Sequence, residues 1–248
     1  MPAPTVSVIV ATRDRPRLLA DALASVAAQQ PAPLEVRVGD DGRVHAETVA
    51  ADLPVLELTW LALDLGQPAA VRNAAAAGAR GDVLAFLDDD DLWRPGHLAG
   101  LVRAFEDPAI GLAWRDSEIV RETVDGGRHV LDRRTLARDW DDAIMRANDY
   151  LPPSAIAVRR PLFEAVGGFD TSFRYSEDWD LILRLAARAP VARVPGVTVE
   201  VRLRESGNTS AEMNGERLAC LRRLGERHGF ATPDPKTFWE VALEVGTG

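Results

Sequence analysis

Within its first 105 or so residues the chain alternates apolar, β-branched runs with segments of helical periodicity, and this alternation limits the fold more than anything else in the sequence. Residues 5–11 form a β-branched run that predicts a buried strand. Pro16 suits the first turn of a helix, along which Leu18, Leu19, Ala22, Leu23 and Val26 recur at helical spacing. Residues 34–38 predict a second strand, closed by the turn signal Gly39-Asp40-Asp41-Gly42, with a weaker helix running on to Ala51. A third strand is expected over 55–63. Gly66-Gln67-Pro68 then opens an alanine-rich helix over 69–79. Residues 82–87 read as the fourth strand and 95–105 as its helix. Repeated strand–helix units predict an α/β fold with a mainly parallel sheet and helices on both faces. Ligands of such sheets bind beyond the carboxyl ends of the strands. Polar clusters fall there three times: Thr12-Arg13-Asp14, Asp40-Asp41, and Asp88 to Asp91.

The fourth strand delivers four consecutive carboxylates, Asp88, Asp89, Asp90 and Asp91, to one point. Like charges a few ångströms apart raise one another's pKa unless a cation neutralises them. An acidic, oxygen-rich turn suits hard divalent ions such as Mg²⁺ or Mn²⁺. The turn is therefore read as holding a metal that in turn holds a phosphate. The plain alternative is a surface turn in which Asp91 caps the next helix, for which one acid would suffice.

The second half is less regular. A strand or two is expected over 110–122, a hairpin turn at Asp125-Gly126-Gly127, a helix over 135–146 and a loop over 148–153. Residues 154–158 predict a strand and 161–166 a short helix ended by Gly167-Gly168. An amphipathic helix follows over 177–189, then two strands around Pro195-Gly196, a final helix over 211–229 and a loosely attached tail from Thr232. No linker or repeat interrupts the 248 residues. We expect one domain with a nucleotide-binding half (1–107), an acceptor and catalytic half (108–210), and a C-terminal helix and tail (211–248).

Hydrophobic content is 46%, enough for a sizeable core, and the net charge is −9. That charge argues against nucleic acid as a partner and leaves any anionic substrate to local groups or a metal. The single cysteine, Cys220, excludes an intrachain disulfide and a cysteine zinc site. Met1-Pro2-Ala3-Pro4 carries no signal-peptide pattern, and no apolar run has the ~20 residues of a membrane span. A cytoplasmic location is expected, with peripheral membrane contact allowed. Oligomeric state is not encoded legibly.

Taken in order, Thr12-Arg13-Asp14-Arg15, Val38-Gly39-Asp40-Asp41-Gly42, Arg72-Asn73, Phe86-Leu87-Asp88-Asp89-Asp90-Asp91, Gly167-Gly168-Phe169-Asp170 and Glu177-Asp178-Trp179-Asp180 resemble family 2 glycosyltransferases of the GT-A fold. The resemblance covers roughly residues 5–210. It implies a nucleoside-diphosphate-sugar donor, Mn²⁺ or Mg²⁺, a saccharide or other hydroxyl acceptor, and usually inversion at the anomeric carbon. Asp88 and Asp90 match the metal-holding Asp-x-Asp acids, with Asp89 and Asp91 beside them. Asp40 and Asp41 match acids that meet the base or ribose, and their plain alternative is a turn. Thr12, Arg13 and Asp14 match the nucleoside pocket or, more simply, a helix cap. Arg72 matches an arginine on the nucleotide or diphosphate, against a helix-surface ion pair, and Asn73 is read as structural.

The resemblance also makes an acid of the Glu177-Asp178 pair the general base, Asp178 first and Glu177 second, with Ser176 able to cap their helix. Their alternative is favourable placement of acids against a helix dipole. Glu205 stands where many relatives carry a metal-binding histidine, so it either replaces that ligand or the metal keeps only its aspartates. His45, His97, His129 and His228 lie in no matching motif. Trp114, Arg115, Asp116 and the 148–154 segment are expected near the acceptor, and Trp93 and Trp179 either on a sugar or in the core. Two rivals remain: a sugar-phosphate nucleotidyltransferase, disfavoured because no glycine follows the first strand, and an inactive nucleotide-sugar-binding homologue. Neither G-x-G-x-x-G nor the P-loop pattern occurs.

Overall fold

The structure, a computed structural model, describes residues 2–43, 49, 53, 56–123, 128–204 and 213–247. The chain runs β1 (Val6–Thr12), α1 (Pro16–Ala27), β2 (Glu35–Asp40), β3 (Leu58–Ala62), α2 (Pro68–Ala76), β4 (Val83–Asp88), β5 (Leu92–Trp93) and α3 (His97–Ala104). It continues through β6 (Leu112–Thr123), β7 (His129–Leu136), α4 (Asp142–Ala147), β8 (Ile156–Arg159), α5 (Arg160–Ala165), α6 (Glu177–Ala186), β9 (Val191–Arg204), α7 (Gly215–His228) and α8 (Phe238–Val245).

Among the described residues one sheet has the order β3-β2-β1-β4-β8-β6-β9-β5, with β7 also paired to β6. The apolar runs of β1 and β4 are almost entirely buried, as central parallel strands demand. β2 and β4 flank β1 in parallel and β3 lies outside β2. Thr12 lies opposite Asp40 and Ala11 opposite Asp88, so the three strands end level and deliver their polar residues to one rim. Pro16 does start α1, whose face Leu19, Ala22, Leu23 and Val26 is buried.

Beyond β4 the direction changes. β8 pairs antiparallel with both β4 and β6, and β9 returns parallel to β6. Phe86, Phe163 and Phe169 meet with ring centroids 5.2–5.8 Å apart and fasten the second half to β4.

Several expectations need correction. Residues 135 and 136 finish β7, whose backbone is bonded to β6, so the helix expected over 135–146 is confined to α4. The two strands around Pro195-Gly196 are one long strand, β9, whose register shifts there. The tail is not loosely attached. Thr237 and Glu240 form a capping box that starts α8, and Val241, Ala242 and Val245 join the core. The weak helix near Ala51 and the turn at Asp125-Gly126-Gly127 fall outside the described residues, although β6 and β7 do pair as a hairpin.

Candidate active site

A cleft of about 480 Å³ opens at the level rim. One wall comes from the first half: Thr12, Arg13 and Arg15 after β1, Asp41 after β2, Gly66 to Pro68 and Arg72 at the start of α2, and the four acids after β4. The facing wall comes from the second half: Asn148, Asp149, Pro152 and Pro153, the 174–179 segment, and Leu221, Phe238 and Val241 from the C-terminal helices.

The four acids have distinct partners. Arg72 Nη2 lies 2.6 Å from Asp88. Asp89 accepts from the Thr12 hydroxyl at 2.7 Å and from Arg15 at 3.2 Å. Asp90 is gripped by Arg15 at 2.9 Å and Arg204 at 2.5 Å. Asp91 accepts from the Ser154 hydroxyl at 2.6 Å and from the Arg202 N–H at 3.1 Å. The pattern alternates: the side chains of Asp88 and Asp90 are 27% and 17% exposed, whereas Asp89 and Asp91 are buried. Burial, reinforced by Asp90, pushes Asp89 up to about 6 and Asp91 well above the usual carboxylate range. Asp91 does not cap α3, whose N-cap is Gly96. It is a buried tie between β4, Ser154 and β9.

Arg72 bridges the cleft. Its other arm lies 2.9 Å from Glu177, and the side chain is buried beneath the Phe169 ring. It is thus no surface ion pair, and its fork is committed to two carboxylates. Asn73 is structural, as expected: its amide exchanges two hydrogen bonds with the backbone of Phe169, at 2.8 and 2.9 Å. Gly168 permits this, because a Cβ there would lie 2.5 Å from Asn73 Oδ1 and its φ is +68°.

Glu177 and Asp178 open α6, but Ser176 supplies no side-chain cap and adopts φ 60°. The described non-glycine residues with positive φ are Ser176 and Asp14, which flank opposite walls of the cleft. Such conformations cost of order 1–3 kcal/mol and concentrate at functional sites. Burial and the neighbouring Asp178 push Glu177 up to about 7 despite Arg72. Burial also raises Asp178, against the pull of Arg72. The helix dipole is outweighed. Asp180, the third acid of this motif, is wholly buried on Arg184, Arg227 and His228, and holds α7 to α6.

Other candidates are dispersed. Asp41 accepts the N–H groups of Leu65 and Gly66, at 2.5 and 2.9 Å, and so fastens the turn before α2. Asp40 accepts from Gly42 and is not among the lining residues. Asp14 accepts from the Arg43 N–H at 2.7 Å, and no side chain caps α1. Trp114, Arg115 and Asp116 do not reach the cleft. Asp116 is spent on Arg193, while Asn148, Asp149, Pro152 and Pro153 of the 148–154 segment do line the cavity. Trp93 and Trp179 are core residues, with indole N–H groups on Ser154 and Met145 carbonyls. His97 is stacked under Trp93 and His228 bonds Asp180. Glu205 and His45 lie outside the described residues.

Asp149 lies in the 148–154 segment expected near the acceptor, but nothing in the sequence marks it out within that segment. A lone acid in a Pro-containing loop carries no motif, and only the packing of α4 against α6, through Trp179 and Met145, brings it beside Asp178.

Among solved structures the fold resembles S. aureus TarS in complex with UDP-GlcNAc, with a TM-score of 0.68 and 19% identity, covering 97% of this chain and 71% of that one. It also resembles the mannosyltransferase PcManGT from Pyrobaculum calidifontis in complex with GDP-Man and Mn²⁺, with a TM-score of 0.66 and 21% identity over 97% and 69% of the two chains. Both likenesses support the GT-A fold. In sequence, the chain is 32% identical over 242 residues to the uncharacterized glycosyltransferase YwdF of Bacillus subtilis, covering 96% of this chain and 89% of that protein. The profile described as Glycosyl transferase family 2 matches residues 7–166, more than half of the chain, and the chain therefore belongs to that family.

Proposed function

We propose that the protein is a metal-dependent, inverting glycosyltransferase that moves a sugar from a nucleoside-diphosphate sugar to an acceptor hydroxyl. The observation that carries this reading is the shared guanidinium of Arg72. It joins Asp88 at the end of β4 to Glu177 at the start of α6, so diphosphate-side acids and a candidate base pair face one cavity. Neighbours of the same fold bind UDP-GlcNAc, or GDP-Man with Mn²⁺, which supports this class of donor.

The donor set fits a hard cation shared with a diphosphate. Asp88 and Asp90 are the accessible acids of the turn, and among the described residues no three metal-ligating side chains cluster closely enough to enclose an ion alone. Asp88 and Asp90 would hold the ion, which would neutralise charge on the departing nucleoside diphosphate. Arg15 and Arg204 now share that acidity and keep the turn assembled. Thr12, Arg13, Asp41 and Gln67 border the nucleoside end.

Asp178 is the base. Glu177 is engaged by Arg72 at 2.9 Å, whereas the Asp178 carboxylate accepts the Trp179 N–H at 2.9 Å. Burial raises its proton affinity above that of an ordinary aspartate, the direction a base requires. Trp179, Leu221, Phe238 and Val241 add apolar surface to the second-half wall. An inverting displacement needs one such base and no protein nucleophile.

Calorimetry with UDP or GDP and Mn²⁺ tests the assignment. Asp90→Asn should lose metal-dependent nucleotide binding, and Asp178→Asn should retain binding and lose transfer. Unchanged binding in the first variant, or full turnover in the second, would overturn the respective role.

A further inference from the structure

Asp149 is the buried acid that the mechanism above leaves without a task. It follows α4 on the second-half wall and lines the cleft. Its Oδ1 is sealed from solvent and has no hydrogen-bond partner among the described residues. The Leu151 N–H supports the carboxylate. The charges acting on it most strongly are Asp178 and Glu177 from α6, which repel, and Arg217 from α7, which attracts. The Lys236 ammonium, which also lines the cleft, is taken by Asn148 and Glu244.

Position along the cleft gives Asp149 its meaning. Asp178 feels both Arg72 and Asp88, on the diphosphate side. Asp149 feels Asp178 and Glu177, and no acid of the β4 turn is among its leading influences. Asp149 and Asp178 thus act on one another on the second-half wall of the cleft that Asp88 lines from the other side.

A sealed carboxylate oxygen without a donor destabilises the fold. A chain keeps such a group where a ligand completes it. The ligand must bring a donor of its own, which a hydroxyl supplies. We propose that Asp149 binds a second hydroxyl of the acceptor while Asp178 takes the proton of the first, so that the acceptor class is a polyol or saccharide and not a simple alcohol. This rests on the reading of Asp178 as base.

The test uses the full chain with Mn²⁺ and UDP-GlcNAc or GDP-mannose, following nucleotide release with glycerol or methanol as acceptor. The wild type should favour glycerol over methanol at equal hydroxyl concentration by tenfold or more. Asp149→Asn should raise the KM for glycerol at least tenfold, change kcat less, and abolish that preference. Its Tm should also rise, more at pH 8 than at pH 5, because the amide removes a buried charge that forms only as the pH climbs. A structural aspartate would behave oppositely: a lower Tm and an unchanged glycerol preference in Asp149→Asn overturn the inference, with Asp149→Ala as the check on folding. Equal use of glycerol and methanol by the wild type overturns the acceptor class. No nucleotide release with glycerol from either donor overturns the acceptor class, whereas the transferase reading stands or falls separately on metal-dependent nucleotide binding by calorimetry.

Discussion

Glu177 answers two demands: it closes the ion pair with Arg72, and it tolerates Asp178 as its neighbour in a buried site. Its carboxyl is held at about 7, above the ordinary 4.5, by burial first and Asp178 second. The native state thus binds this proton more tightly than the unfolded chain does. Stability from that difference is complete below about pH 4.5 and lost as the pH rises through 7. Asp89, at about 6, contributes the lower part of the same fall. In EDTA, stability should therefore fall from pH 5 to pH 8, by on the order of 2 kcal/mol for Glu177, read as a lower melting temperature. Glu177→Gln should lose the upper part of the fall and keep the part near pH 6. A wild-type profile flat from pH 5 to 8 would refute it. At this scale the sequence was legible where acids were consecutive and opaque where roles depend on partners. Asp180 looks as functional as Asp178 in Glu177-Asp178-Trp179-Asp180, yet it is a buried anchor for Arg184, Arg227 and His228 on and behind α6. Asp41 looks like a free nucleoside acid and is occupied by two backbone N–H groups. Only the fold reveals which acids are already bonded.

Elements with one dominant period were read well, and those carrying two signals were not. β1, β4, α1 and α6 have clean apolar runs or stripes. β7 carries charged residues that pattern reading assigns no face, and its strand identity comes from its bonds to β6. α8 is different, because its signals stand in the sequence itself. Thr237-x-x-Glu240 is a capping box, and Phe238, Val241, Ala242 and Val245 recur at helical spacing. The Glu240 carboxyl is held below its usual range by the Thr237 N–H and hydroxyl. This helix closes the second-half wall with Phe238 and Val241, so its start matters to the cleft as well as to stability. Thr237→Ala should cost about 1 kcal/mol, read as a lower urea midpoint with an unchanged slope. Thr237→Ser should recover most of the loss. An unaltered midpoint in Thr237→Ala would return the segment to the status of a loose tail.

Across the molecule, the parallel half was legible because each strand–helix unit repeats the last. The strand order of the other half was not, since nothing local in residues 156–159 says that β8 inserts between β4 and β6. That insertion has a thermodynamic consequence. The backbone ladder runs unbroken from β3 through β4 and β8 to β9. Asp91 adds a second link, tying the end of β4 to Ser154 and to the Arg202 N–H of β9, and the Phe86, Phe163 and Phe169 rings add a third. Neither half can open without exposing the other's core, so residues 1–107 and 108–248 should unfold as one domain. Scanning calorimetry should give a single transition with equal calorimetric and van't Hoff enthalpies. UDP or GDP with Mn²⁺, binding in a cleft walled by both halves, should move the whole transition upward by RT ln(1 + [L]/Kd), about 2.7 kcal/mol at a hundredfold excess over Kd. Asp91→Ala, which cuts a link without touching the accessible acids, should lower that single transition without splitting it. Two transitions in the wild type, or a ligand that lifts only part of the melting curve, would mean that the halves are separate folding units and that the acidic turn joins them only locally.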